Sequence, residues 1–380
     1  MAGATRPIRL AMVGGGPDAF IGPVHKMAAE LDGRFRLVAG AFSRDAAKSR
    51  DAAQGWALDE ARGYADFETM IAQEADREDG AEAVAIVTPN HLHLPVARAA
   101  LAAGLHVISD KPATATLSEA LELRDIVRAA RAHYALTYTY TGYAMIRQAR
   151  AMVERGDIGR VRKVVVEYSQ GWLATGDDAS NKQAAWRVDP RLAGAGGCSG
   201  DIGVHAFDLV EFVTGLRVES LCVALASLVD GRVLDDDCNA LMKLEGGVPG
   251  VLVASQVATG DRNGLRLRVY GERVGLDWSH EQPDRLIVNP AEGPTQILHT
   301  GAPYLGGSSL AASRLPTGHP EGFIEAFATL YRDFADLIAG RPLGVPLPDI
   351  ENGVRSLAFV TAAVRSNRNG STWVSIGEAA

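Results

Sequence analysis

The 380-residue chain predicts an α/β protein in two parts. The first is a parallel sheet with helices on both faces. The second is an α+β part built on a large, open, mainly antiparallel sheet. Three observations predict this. Apolar runs of strand length alternate with helical stretches up to residue 138. A glycine-rich turn, GGGPDAFIG, joins the first strand to the first helix. From Thr139 onward strands follow one another with few helices between them. The length allows two well-formed cores, which places the parts at 1–138 and 139–380.

Ile8 to Val13, IRLAMV, reads as the first strand, and VHKMAAEL, after the glycine turn, as the first helix. Strand, glycine turn and helix form the context that a dinucleotide fingerprint requires. Gly14 and Gly16 take the first two positions of G-x-G-x-x-G. The third falls on Ala19, Gly22 follows three residues later, and residues 17–20 read as an insertion in the turn. Glycines here let a pyrophosphate approach backbone N–H groups at the helix start. Phe20 and Ile21, at the end of the turn, join the candidate cofactor-binding set.

Phe35 to Phe42 is the second strand and Asp45 to Gln54 a helix. Ala83 to Val87 is the third strand, Leu94 to Ala103 a helix, and His106 to Ser109 the fourth strand. Thr116 and Glu119 make a capping box ahead of a helix reaching about Ala130. Tyr134 to Tyr138 resumes a strand. Ligands of such folds bind beyond the C-terminal strand ends, so the residues there are the site candidates. After the second strand come Ser43 and Arg44, where an acid commonly grips the ribose of NAD and an arginine holds the 2′-phosphate of NADP. The arginine leans the reading towards NADP; a solvated surface arginine is the alternative. After the third strand comes TPNHLH, with Thr88, Asn90 and His93, and after the fourth Asp110-Lys111-Pro112.

In the second part, Tyr143 to Arg155 reads as a helix ended by Gly156, and Arg162 to Gln170 alternates as a strand with one solvated face. Further strands are expected at Ser220–Leu228, Asp237–Leu244, Gly250–Val257 and Leu265–Gly271. Phe323–Ile338 and Asn352–Ser366 read as helices that pack back on the first part. An apolar sheet face left free invites self-association.

The segment GGCSGDIGVHAFD places Asp201 four residues before His205, with Asp208 three further on. On a helix, Asp201 and His205 share one face. An imidazole titrates near neutrality and can take a proton from an alcohol. Trp186 beside Arg187 is either a sugar platform with a hydrogen-bonding fork or simple packing. Tyr143 and the Arg262-Asn263 pair are further candidates to line a pocket. Asp235-Asp236-Asp237 reads as a charged turn, because three neighbours on a strand cannot all face one metal.

The formal charge of −8, with no basic cluster, argues against a nucleic-acid partner. Cys198, Cys222 and Cys238 have no metal or disulfide spacing and read as buried thiols in a reducing compartment. No apolar stretch approaches a membrane span, and no metal is expected. A cytoplasmic location is the expectation.

Taken together, GGGPDAFIGPVH, TPNHLH, DKP and GAGGCSGDIGVHAFD resemble, in order and spacing, the motifs of the Gfo/Idh/MocA oxidoreductases. The resemblance spans nearly the whole chain. It implies an N-terminal Rossmann domain binding NAD or NADP, and a C-terminal domain for substrate and oligomerisation. It also implies a homo-oligomer, dimer or tetramer, associating through the large sheet. Lys111 matches the family's catalytic lysine, Asp201 and His205 match its acid and histidine, and Asn90 and His93 match positions near the nicotinamide. Asp110 stands where Glu is commoner, which shortens the reach towards the cofactor ribose. Tyr140 stands near a position where many relatives have Asn.

The chemistry implied is hydride transfer between a nicotinamide and a secondary alcohol of a sugar, glycoside or cyclitol. His205 would take the hydroxyl proton, Lys111 would stabilise the oxygen, and Asp201 would orient His205 or bond the substrate. Two rivals keep the fold. An NAD-dependent glycosidase, working by transient C3 oxidation, elimination, hydration and re-reduction, would release an aglycone without accumulating reduced cofactor. A non-catalytic dinucleotide-binding regulator would bind without turnover.

Overall fold

The computed structural model describes residues 6–16, 19–176 and 182–377. They fall into two compact units, one within Met1–Thr114, Ser118–Thr137 and Phe327–Gly353, the other within Ala115–Leu117, Tyr138–Ala326 and Val354–Ala380.

In the first unit, β1 (Ile8–Gly14), β2 (Phe35–Ala41), β3 (Ala83–Val87), β4 (His106–Ser109) and β5 (Tyr134–Leu136) form a parallel sheet ordered β2-β1-β3-β4-β5. The run AVAIV of β3 is buried along its whole length, as a central parallel strand must be when helices cover both faces. Helices Ile21–Leu31, Ala46–Gly55, Phe67–Asp76, His93–Ala102 and Leu117–Ala129 supply that cover. Asp45 caps the second by accepting from the Ala47 and Lys48 N–H groups, a contribution of about 1 kcal/mol. Phe67–Asp76 is absent from the sequence expectation. Its Glu74 is buried, pairs with Arg62 and accepts from Tyr64 Oη at 2.8 Å.

The helix Phe323–Ile338 belongs to this unit from Phe327. Phe327 meets His25 edge-on at 4.7 Å, Tyr331 meets Phe35 at 5.4 Å, and Phe334 stacks on Phe35 at 6.1 Å. Such pairs contribute about 1 kcal/mol each beyond their buried area.

The second unit is built on nine strands: β6 (Val161–Ser169), β7 (Val218–Ala226), β8 (Asp237–Leu244), β9 (Val248–Ser255), β10 (Gly264–Gly271), β11 (Val274–Ser279), β12 (Arg285–Pro290), β13 (Gln296–His299) and β14 (Val374–Ser375). The order is β13-β12-β11-β10-β6-β9-β8-β7-β14, antiparallel at every pairing except β6–β9. Burial alternates strictly along β8, with Cys238, Ala240, Met242 and Leu244 inward, so among the described residues one sheet face is covered and the other is not. Phe359 of helix Ile350–Arg368 stacks at 4.8 Å on Phe207 of helix Val204–Thr214, and Arg355 pairs with Glu211. From Val354 this last helix falls within the second unit, the part to which the sequence reading assigns it. Cys198 and Cys238 are buried, but Cys222 is half-buried, with Sγ 2.9 Å from the Ser371 carbonyl. Among the described residues no helix is long and apolar enough to cross a membrane.

Candidate active site

In the first unit the strand order reverses at β1, so the crevice lies beyond the C-terminal ends of β1 and β3. Gly14 pairs in register with Val87 there, which sets the glycine turn beside the TPN loop. A Cβ on Gly14 would lie 2.6 Å from the Val87 carbonyl, on Gly16 2.4 Å from the Phe42 carbonyl, and on Gly22 2.4 Å from the Gly15 Cα. A side chain is therefore excluded at each of these three glycines, and no side chain caps the start of Ile21–Leu31, whose first N–H groups have no partner within the helix. Phe20 is 66% exposed and precedes that helix, and Ile21 is half-buried. Thr88 Oγ1 and His91 Nδ1 are buried without a hydrogen-bond partner among the described residues. A bare backbone cradle next to unsatisfied polar atoms fits a dinucleotide.

Ser43 Oγ accepts from the Asp45 N–H at 3.2 Å, while Arg44 is exposed. His91 is held below its ordinary pKa first by burial and then by the Arg44 charge. Asn90 is buried at the head of the turn Asn90–Leu92. His93 is wholly buried and staples two loops, with Nδ1 2.7 Å from the Pro112 carbonyl and Nε2 2.9 Å from the Thr88 carbonyl. Burial lowers its pKa, against the opposing pull of those two carbonyls and of Asp110. Asp110 Oδ1 accepts from the Lys111 N–H at 2.8 Å and from Thr137 Oγ1 at 3.0 Å, and the Lys111-Pro112 peptide is cis. The shorter acid is thus tied to its own loop and to the residue after β5.

In the second unit the Asp201–His205 segment is not one continuous α-helix, as the sequence suggested. Ser199–Gly203 makes a π turn, and the α-helix Val204–Thr214 begins just before His205. Single π turns of this kind recur at functional sites. Asp201 Oδ2 accepts from Arg187 Nε at 3.1 Å and from Gln256 Nε2 at 2.9 Å. The Arg187 guanidinium lies over the Trp186 ring at 4.4 Å and 5.8 Å from that of Trp172. One side chain thus both packs on the indole rings and holds the carboxylate.

The His205 ring meets three tyrosines: Tyr140 edge-on at 5.0 Å, Tyr138 edge-on at 5.7 Å and Tyr168 tilted at 6.3 Å. Tyr140 and Tyr168 hydroxyls bond each other. Tyr168 Oη also donates to Asn263 Oδ1 at 2.7 Å, and Gln170 Nε2 donates to the same oxygen at 2.8 Å. Trp172 Nε1 donates to Gln170 Oε1 at 2.8 Å. Tyr143 immediately precedes the helix Ala144–Glu154, and its hydroxyl shares a 2.9 Å bond with His280 Nε2. Burial pushes the Tyr140, Tyr143 and Tyr168 hydroxyls up, so all three remain protonated donors. Tyr168, Gln256, His280 and Trp172 escaped the sequence reading. Only Tyr168 had a usable signal, its parity with the inward Val164 and Val166 of β6.

Asp235 and Asp236 do not form the solvated charged turn expected from the triplet. Both are buried, and both carboxylates are consumed by backbone N–H groups. Asp235 accepts from the Gly197 N–H at 2.8 Å, the Ser199 N–H at 2.7 Å and Ser199 Oγ at 3.1 Å. Asp236 accepts from the Leu228 and Val229 N–H groups at 2.8 and 3.0 Å and pairs with Arg232 at 3.3 Å.

Residues 8–138 match the family described as "Oxidoreductase family, NAD-binding Rossmann fold", and residues 146–277 match the GFO/IDH/MocA C-terminal domain. An uncharacterized oxidoreductase of Bacillus subtilis (strain 168), YfiI, is 35% identical, with 97% of each chain covered. An inositol dehydrogenase homolog from Azotobacter vinelandii in complex with NAD+ superposes with a TM-score of 0.94 at 40% identity, covering 98% of each chain. An inositol dehydrogenase homolog from Azotobacter vinelandii in complex with NADH and myo-inositol gives 0.90 at 38% identity, again with 98% of each covered.

Proposed function

This chain belongs to the GFO/IDH/MocA oxidoreductase family, and on that premise we propose that it is an NAD(P)-dependent dehydrogenase of a cyclitol, sugar or glycoside secondary alcohol. The observation that carries the reading is the setting of Asp201 and His205. A carboxylate gripped by Arg187 and Gln256 stands one turn from an imidazole walled by tyrosines whose hydroxyls form a shared network. Donors and acceptors set on aromatic walls suit a polyhydroxylated ring, which offers an apolar C–H face and a rim of hydroxyls. Myo-inositol, bound by the Azotobacter homolog, is the first candidate.

The nicotinamide, when bound, supplies the hydride acceptor or donor. The chain's residues do the rest. Gly14, Gly16, Phe20, Ile21, Thr88 and Asn90 hold the dinucleotide, with Asp110 at its ribose and His93 fixing the loops that carry Thr88 and Lys111. His205 takes the hydroxyl proton in the oxidative direction. Lys111 donates a hydrogen bond to the same oxygen and stabilises its growing charge. Asp201 accepts from a substrate hydroxyl, and Arg187, Trp186 and Tyr143 shape the pocket. Ser43 and Arg44 meet the adenine ribose, where Arg44 leans the choice towards a 2′-phosphate.

The test is a panel of cyclitols, sugars and glycosides with NAD+ and with NADP+, followed at the absorbance of the reduced nicotinamide. Accumulation with at least one polyol is expected. Release of an aglycone without reduced cofactor would replace this reading with redox-neutral cleavage, and dinucleotide binding without turnover would replace it with a regulator.

A further inference from the structure

We propose that Asp235 is a positioning residue for this reaction: it fixes the π turn that aims Asp201 and His205, without touching the substrate. The inference rests on the dehydrogenase reading for its kinetic part only.

Both oxygens of the Asp235 carboxylate are spent on the segment that leads into the π turn. Oδ1 takes the Gly197 N–H and Ser199 Oγ, and Oδ2 takes the Ser199 N–H. The Asp235 carbonyl takes the Cys198 N–H at 2.7 Å, so three consecutive residues are held by one. The approach is direct: a Cβ on Gly197 would lie 2.1 Å from that carbonyl. Downstream, the Asp201 N–H returns to the Gly197 carbonyl at 2.9 Å. Fixing Gly197 and Ser199 therefore fixes where the wider π turn begins, and so which way Asp201 and His205 face.

The next peptide completes the arrangement. The Asp236 carbonyl accepts from the Gln256 N–H at 2.9 Å, and Gln256 Nε2 is one of the two groups on Asp201 Oδ2. Two successive residues thus place both the segment carrying Asp201 and an amide that grips it. The Asp236 side chain is occupied elsewhere, with Leu228, Val229 and Arg232, so the helix start depends on Asp235. An amide cannot replace this carboxylate. Asparagine keeps one acceptor oxygen but turns a second donor against an N–H group.

The experiment compares wild type, Asp235→Asn, Ser199→Ala and, as a control for lost stability alone, Glu74→Gln in the first unit. Three quantities are read: kcat for the oxidised polyol, dinucleotide Kd, and the imidazole NMR signal of His205, assigned with His205→Ala. Asp235→Asn should lower kcat on the order of 10–100-fold, leave dinucleotide Kd within about twofold, and move the His205 signal. Glu74→Gln should lower Tm and leave kcat and that signal alone. Wild-type kcat and an unmoved signal in Asp235→Asn would overturn the proposal. Should that variant not fold, Ser199→Ala decides. A loss of about 3–10-fold with a smaller shift supports the proposal, and no change in either overturns it. If wild type oxidises no polyol, the functional reading fails, while the His205 signal still decides the positioning claim.

Discussion

His25 lies wholly buried on the first helix, its Nδ1 2.7 Å from the Tyr331 hydroxyl. Burial drops its pKa to about 4 from the ordinary 6.5. Between those values the unfolded chain takes up a proton that the native chain refuses, so stability falls as pH falls. Going from about pH 7 to about pH 5 should cost about 2 kcal/mol through this group. His25→Gln keeps a partner for Tyr331 and should remove most of that sensitivity in urea unfolding at the two pH values. An equal pH dependence in both proteins would place its origin elsewhere. Lys111→Ala and His205→Ala test the proposed chemistry. Each should fold and bind dinucleotide yet lose about 10²–10⁴-fold in kcat. Near-normal turnover in either removes that residue from the reaction. These residues were legible because titratable side chains stood at strand ends or on a small-residue helix start. Asp235 was not, since an acidic triplet in sequence looks the same whether its carboxylates face water or backbone N–H groups.

The glycine turn and the π turn are elements in which backbone shape carries the function. A Cβ on Gly16 would lie 2.4 Å from the Phe42 carbonyl, whereas one on Gly55, at the end of helix Ala46–Gly55, meets nothing within 4 Å. Gly16→Ala should therefore weaken dinucleotide binding by calorimetry about tenfold or more, and Gly55→Ala should leave it unchanged. Equal affinity in both would mean that the turn does not hold the dinucleotide. Elements with strong periodicity were readable: Ala83–Val87, His106–Ser109 and Asp237–Leu244 have the expected bounds. The strands β11, β12 and β13 were not. They are short, four to six residues each, and gain their order from sheet pairing, which local sequence does not encode. The π turn escaped for a similar reason. It is imposed by Asp235, more than thirty residues away in the chain.

At the scale of the whole molecule, the two-part plan was visible in the switch from strand–helix alternation to successive strands. The division of the C-terminal helices between the two units, at Phe327 and Val354, was not, because an amphipathic pattern does not say which core it meets. The uncovered face of the large sheet exposes Leu241 of β8, Tyr270 of β10 and Ile297 of β13. Self-association through this face predicts a dimer or larger species by light scattering, and a smaller one after Leu241→Lys with Tyr270→Lys. An unchanged mass in that double variant would exclude this face. The account as a whole turns on hydride transfer from a carbinol carbon. Its most direct test is mass analysis of the reduced nicotinamide formed from a substrate deuterated at that carbon, myo-inositol first and then the other active polyols. The deuterium should appear in the cofactor. Reduced nicotinamide that carries none, or its absence with every polyol tried, would contradict the account.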